Sequence, residues 1–246
     1  MPSPSRPFAR SAPRYARGRP DYPADLIRWA LPVGPVNVVD LAAGAGQLTR
    51  GLLAAGHRVI AVEPVAEMLA ELRAANPRAI VVQAVAEAIP LRSASADVVT
   101  VGQAFHWLDL EAALPEISRV LRSGGSLVVA YNLLDTSVPW VRRFRELIGG
   151  GRVDLPEQLD VLAEHDDFEQ PTSKAFRHWQ ELTRPQLVDL VGSYSFVHAL
   201  TPDSRAALLR DVASFFDATS PSQTLRLPYR SHAVRARVSS VADFHR

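Results

Sequence analysis

The chain has 246 residues, 47% of them hydrophobic and 22% charged, ordinary values for a packed globular protein with room for one large domain or one domain plus a cap. A formal net charge of +1, with no stripe of Lys and Arg, carries no signal for nucleic acid. The absence of cysteine excludes disulfides and thiol catalysis and fits a reducing cytoplasm, where the protein is expected.

Residues 1–24 read as irregular, because Pro2, Pro4, Pro7, Pro13, Pro20 and Pro23 interrupt any regular element. This stretch lacks the apolar centre of a signal peptide, and no apolar run approaches the roughly 20 residues that span a bilayer. Asp25 to Leu31 reads as a short helix stopped by Pro32. Val36 to Leu41 is a β-branched apolar run, the signature of a buried strand. Gln47 to Ala55 is helical, with Leu48 and Leu52 on one face and Gly56 where a C-terminal cap belongs. Val59 to Val62 is a second buried strand. Pro64 suits the first turn of the next helix, where Val65, Met68, Leu69 and Leu72 keep helical spacing until Asn76-Pro77. Ala79 to Val82 and Asp97 to Val101 are strands three and four. Leu110, Leu114, Ile117 and Leu121 form the stripe of another helix, and Gly124-Gly125 turns the chain into strand five, Leu127 to Tyr131. Such alternation implies a parallel sheet covered on both faces.

Beyond Asn132 the pattern changes. Residues 137–165 read as amphipathic helix broken at Gly149-Gly150-Gly151. Ala175 to Leu182 reads as a strand, Pro185 to Tyr194 and Asp203 to Phe216 as helices, and Leu225 to Val238 as a terminal strand or hairpin.

The class is decided at Asp40-Leu41-Ala42-Ala43-Gly44-Ala45-Gly46, the end of strand one. Gly44 and Gly46 permit a tight turn and a close approach of ligand to backbone. A dinucleotide site asks for a third glycine three residues on, where Thr49 stands. Asp40 would repel a pyrophosphate but suits an amino group and a positive sulfonium. Glu63, at the end of strand two, can accept both hydroxyls of a ribose. Glu87 lies in the loop after strand three, at the same carboxyl edge. Plainer alternatives remain at this stage: a turn cap for Asp40, a solvated strand end for Glu63 and a surface position for Glu87.

Several motifs occur in order. They are Asp40 to Gly46, Val62-Glu63-Pro64, Ala86 to Leu91, Gln103-Ala104-Phe105-His106-Trp107 and Arg119 to Gly125. Together they resemble class I S-adenosylmethionine-dependent methyltransferases of the small-molecule type 11 group, which includes trans-aconitate methyltransferase-like proteins. Tyr15 to Pro23 is similar to that group's N-terminal segment, and Leu227 to Ser231 to its last strand. The resemblance departs at Ala42, where the group usually has glycine, and at Ala84-Val85, which replaces a more polar pair.

The resemblance implies a Rossmann-like α/β fold: a seven-stranded, mostly parallel sheet with helices on both faces and a helical lid insertion. It divides the chain into a closing segment (1–24), a cofactor-binding core (25–132), a lid that selects the acceptor (133–170) and a C-terminal completion of the sheet (171–246). It implies S-adenosyl-L-methionine as cofactor, held by Tyr15, Arg19, Asp40, Ala42, Gly44, Gly46, Glu63, Pro64, Ala86, Glu87 and Gln103. Tyr22, His106, Trp107 and Tyr131 are expected on the acceptor side. His106 is the candidate base, and a packed histidine beside Trp107 is the alternative. Ser193-Tyr194-Ser195 either lines the acceptor pocket or caps a helix. The closing segment is expected to be mobile around Gly18 and to order over the cofactor.

No metal-ligand spacing is present among the seven histidines, so a metal-independent reaction is expected. The expected partner is a small-molecule acceptor, with neither nucleic acid nor membrane, in a monomer or homodimer. A nicotinamide-dependent oxidoreductase, a nucleic-acid methyltransferase and a cofactor-binding relative without transferase activity are the alternatives.

Overall fold

The computed structural model describes residues 6–149, 159–220 and 222–239. It begins with α1 (Arg6–Gly18) and α2 (Ala24–Ala30). Strand and helix then alternate: β1 (Asn37–Leu41), α3 (Gln47–Ala54), β2 (Arg58–Val62), α4 (Ala66–Ala75), β3 (Ile80–Val82) and β4 (Ala96–Gly102). A 3-10 turn (Phe105–Trp107), α5 (Leu110–Val120) and β5 (Leu121–Leu134) follow. The remainder supplies α6 (Pro139–Leu147), α7 (Val161–Glu164), β6 (Thr172–Thr183), α8 (Arg184–Gly192), α9 (Ser195–His198), α10 (Pro202–Thr219) and β7 (Thr224–Arg237). The seven strands form one sheet in the order β3-β2-β1-β4-β5-β7-β6. β1 to β5 are parallel, and β7 is inserted antiparallel between β5 and β6. This is the expected Rossmann-like architecture.

Side chains alternate across each strand, so one strand feeds two cores. Val38, Val98 and Val128 pack on Leu26 and Ile27 of α2 and on Leu48 and Leu52 of α3. Val39, Val99, Leu127 and Val129 pack on Leu114 and Ile117 of α5 at the opposite face. Burial on both faces is why these strands read as continuous apolar runs. Each fully buried Val or Leu stabilises the fold by roughly 1.5–3 kcal/mol. The cap of α3 is the expected one. Gly56 has φ +89°, its N–H donates to Leu53 O at 3.1 Å, and the His57 N–H donates to Leu52 O at 3.1 Å.

Several local expectations are corrected. The N-terminal stretch is a helix, α1, with Pro13 inside it; residues 1–5 lie outside the described region. Its inner face packs Ala12 against Ala45, Val65 and Met68, and that tertiary contact outweighs the proline. Pro64 precedes α4 rather than opening it, because Val65 is the N-cap. Leu121 starts β5 instead of ending α5. The terminal segment, expected as a strand or hairpin, is the strand, β7.

A separate helical layer covers the β6–β7 end of the sheet. Val141, Phe144 and Ile148, on and just after α6, pack with Leu187, Leu190, Val197, Val212 and Phe216 from α8, α9 and α10. Within 133–170, α6 therefore joins this layer, whereas Leu159, Leu162 and Phe168 belong to the α5-side core. Gly150 and Gly151, expected to break the helix, lie outside the described residues. Among the described residues no helix is long and apolar enough to cross a membrane.

Candidate functional site

The loops at the carboxyl ends of β1, β2 and β4 meet one cavity of about 490 Å³. Strand register places Asp40 beside Thr100. The Thr100 hydroxyl donates to one carboxylate oxygen at 2.7 Å, and the Thr49 hydroxyl, from the first turn of α3, donates to the other at 2.6 Å. Asp40 is fully buried and does not line the cavity. This corrects the expectation that its charge faces the ligand: Asp40 ties β4 and α3 beneath the glycine loop. Gly46 is likewise behind the loop. It caps α3 with φ +89°, and a Cβ there would lie 2.3 Å from Asn76 Nδ2.

Burial pushes the Asp40 carboxyl from 3.8 up to about 6, against the two hydroxyl bonds that lower it. The folded chain therefore holds this proton more tightly than the unfolded chain. Its stabilising effect is complete below about 3.8 and is lost as pH rises to about 6. Asp40→Asn removes that dependence while keeping an acceptor for Thr49. Its stability relative to the parent is expected to rise by up to about 3 kcal/mol between pH 4 and pH 7. Urea unfolding of both proteins across this range checks it, and a pH-independent difference contradicts it.

Glu63 follows β2 and is 5% exposed. One carboxylate oxygen accepts the Gly44 N–H and the other the Val65 N–H, both at 2.9 Å. Burial raises its pKa, and these two bonds oppose the rise. Each oxygen keeps a lone pair, so the carboxylate can still receive two hydroxyls. The Ala43 N–H donates to Val62 O and the Gly46 N–H to Ala43 O. Three loop donors are thus already committed. A pyrophosphate needs such donors free; a ribose diol does not.

Tyr15, Arg19, Ala42, Gly44, Glu63, Pro64, Ala86, Glu87 and Gln103 all line the cavity, as expected for cofactor residues. Ala42 has φ 49° and Gln103 φ 61°, so both hold the left-handed conformation without being glycine. That conformation costs roughly 1–2 kcal/mol per residue. Gln103 is fixed by its side chain donating to Asn132 O at 2.9 Å and its N–H donating to Ala130 O at 2.8 Å. Glu87 accepts the Asp109 N–H at 3.0 Å and so also anchors the start of α5.

α1 packs over this region. Arg14 and Arg17 pair with Asp189 of α8 at 3.6 and 2.7 Å. Gly18 is a contact point, not a joint: a Cβ there would lie 2.3 Å from Leu190 N. Tyr22 is corrected too. It is buried in the α2–α3 core with its hydroxyl against Gly102, and burial drives its pKa far up. It does not line the cavity.

His106, Trp107 and Tyr131 do line it. His106 Nδ1 is 3.2 Å from the Tyr131 hydroxyl, and its ring lies 5.0 Å from that of Trp107. The rest of the lining comes from the later part of the chain. Ile148, Leu190, Phe196 and Tyr229 belong to it, along with Tyr194 and Ser195. Leu133 and Leu134, at the end of β5, complete the apolar lining. Tyr194 and Ser195 are the pair expected either there or at a helix cap, Ile148 falls in the expected 133–170 lid, and Tyr229 belongs to the Leu227 to Ser231 motif; Leu190 and Phe196 carried no signal. Among the described residues no group of three His, Asp or Glu gathers as a metal site.

Comparison with known proteins agrees with this geometry. A family model described as a methyltransferase domain matches residues 39–129. An uncharacterized methyltransferase of Mycobacterium bovis is 39% identical over 239 residues, covering 93% of this chain and 94% of that protein. Another from Schizosaccharomyces pombe is 33% identical over 208 residues, covering 81% and 83%. A solved structure from Anaeromyxobacter dehalogenans, described as a type II methyltransferase, is 26% identical with a TM-score of 0.65, covering 89% of this chain and 97% of that one. These relatives imply that S-adenosylmethionine is the cofactor, and they exclude the oxidoreductase reading. The chain belongs to the class I S-adenosylmethionine-dependent methyltransferases.

Proposed function

We propose that this cavity holds S-adenosylmethionine and that its methyl group passes to an oxygen, carboxylate or hydroxyl, of a small metabolite or natural product, as in the trans-aconitate methyltransferase-like group. The observation that carries the reading is the continuity of the cavity, from Glu63 and Gly44 to the apolar wall of Leu133, Leu134, Leu190 and Phe196. When bound, the cofactor supplies a methyl group already activated by its sulfonium. The chain then has to orient and exclude water. Glu63 accepts the ribose hydroxyls. Ala86 and Glu87 flank the adenine. The 42–46 loop, held from below by Asp40, seats the methionine part. The closing segment, 1–24, acts through α1 at this end, and the 133–170 lid, together with α8 and α9, selects the acceptor. The reaction uses no metal, and the protein works in the cytoplasm as a monomer or homodimer, with neither nucleic acid nor membrane as partner.

Calorimetry should detect saturable binding of S-adenosylhomocysteine and none of NAD; the reverse result would refute the cofactor assignment. His106 is positioned to take the acceptor proton, with Tyr131 orienting its ring. For a hydroxyl acceptor, His106→Ala should then lower kcat by about a hundredfold or more and leave S-adenosylhomocysteine affinity unchanged. A loss within about threefold would assign His106 to packing alone.

A further inference from the structure

We propose that the acceptor is a molecule with an extended apolar body, alkyl or aryl, carrying at most one carboxylate. The inference rests on the cofactor reading above, which orients the cavity. Glu63 follows β2, and Ala86 and Glu87 follow β3, so a nucleoside held by them lies at the β3–β2 side of the sheet. The strand order then continues through β1, β4, β5 and β7, and the cavity runs with it to Leu133 and Leu134 at the end of β5 and to Tyr229 of β7. From β2 to β7 is four strand spacings, roughly 19 Å at about 4.8 Å each. A nucleoside at β2 therefore leaves the β5–β7 end to the acceptor.

That end is apolar. Leu133, Leu134, Ile148, Leu190 and Phe196 line it. Phe196 stacks on Tyr194, with ring centroids 5.5 Å apart, yet stays 37% exposed. A large apolar side chain that is both exposed and part of a cavity wall marks a surface for an apolar ligand, because covering it removes apolar area from water. The charged groups are placed elsewhere or are few. The acidic residues of the lining, Glu63 and Glu87, follow β2 and β3, so among the described residues the β5–β7 end offers no carboxylate to an ammonium. Of the two arginines in the lining, Arg19 adjoins the Tyr15 ring beside Gly44, and Arg145 comes from α6. Arg145 is thus the guanidinium of this end, enough for one carboxylate at most. A second carboxylate would lie against leucine and phenylalanine with its charge unpaired, at a large desolvation cost. Both a polyacid and an amine are disfavoured.

Calorimetry on the S-adenosylhomocysteine-loaded protein would compare four probes. Octanoate is set against its shorter homologue butyrate, and against octanedioate and octylamine, which keep the length but add a carboxylate or reverse the charge. Octanoate is expected to bind about thirtyfold or more tighter than butyrate, from a gain of about fourfold per buried methylene. It should bind about tenfold or more tighter than octanedioate and octylamine. Phe196→Ser should weaken octanoate by about fivefold or more and S-adenosylhomocysteine by less than about twofold, whereas Phe196→Leu keeps most of the octanoate affinity. Equal affinities for octanoate and butyrate, including no binding of either, would overturn the proposal. So would tighter binding of octanedioate or octylamine, or an octanoate affinity untouched by Phe196→Ser. Failure of the parent protein to bind S-adenosylhomocysteine would instead refute the cofactor reading; the same four probes on the free parent and Phe196→Ser would then still decide this one.

Discussion

Glu63→Ala is expected to weaken S-adenosylhomocysteine binding by about ten- to a hundredfold, the loss of charge-assisted bonds worth roughly 1.5–3 kcal/mol. The substitution also strips acceptors from the Gly44 and Val65 N–H groups, the second of them buried. A parallel loss of about 1–3 kcal/mol in unfolding free energy therefore accompanies it. Both effects follow from one carboxylate that bridges the β1 and β2 loops while keeping lone pairs for a diol. Calorimetry paired with urea unfolding separates them. Unchanged cofactor affinity in a folded variant would contradict the ribose assignment, whatever happens to stability.

The second large effect is expected at Gly18. A Cβ there meets Leu190 N at 2.3 Å and Leu190 Cα at 2.6 Å, both backbone atoms that cannot swing aside. Gly18→Val should therefore lift α1 from α8 and open the cavity over Tyr15 and Arg19. Turnover should fall by about tenfold or more as water enters and the bound geometry loosens, with a smaller loss of cofactor affinity. The sheet should stay folded, because the buried apolar cluster that Ala12 of α1 joins, with Ala45, Val65 and Met68, is separate from the two cores that cover the sheet. Removing residues 1–22 should reproduce the loss of turnover. Hydrogen exchange across α1 is the direct measurement: faster exchange in Gly18→Val with full activity retained would show that closure is dispensable.

The five parallel strands, the glycine loop and Glu63 were legible in the sequence because each has a local cause. Buried parallel strands demand short β-branched runs, and a tight turn under a ligand demands glycine. The group resemblance further indicated many of the residues that line the cavity. The direction of Asp40 was not legible. An acid before a glycine loop suits a cationic ligand from its charge alone, yet its carboxylate turns to Thr100, 60 positions away, because strand register brings that hydroxyl alongside.

The sequence by itself determined the α/β class, the carboxyl-edge site and the family, since these depend on periodicity and on residues close together in the chain. Only the tertiary structure decided what covers that site. α1 is rich in Arg and Pro and has no helical signature of its own; it is held by Asp189 and by the backbone of Leu190. The cavity wall of Ile148, Leu190, Phe196 and Tyr229 reads locally as ordinary core. An apolar side chain facing a cavity and one facing a neighbour share the same helical or strand period, and only the packing of α6, α8 and α9 around the end of β5 distinguishes them.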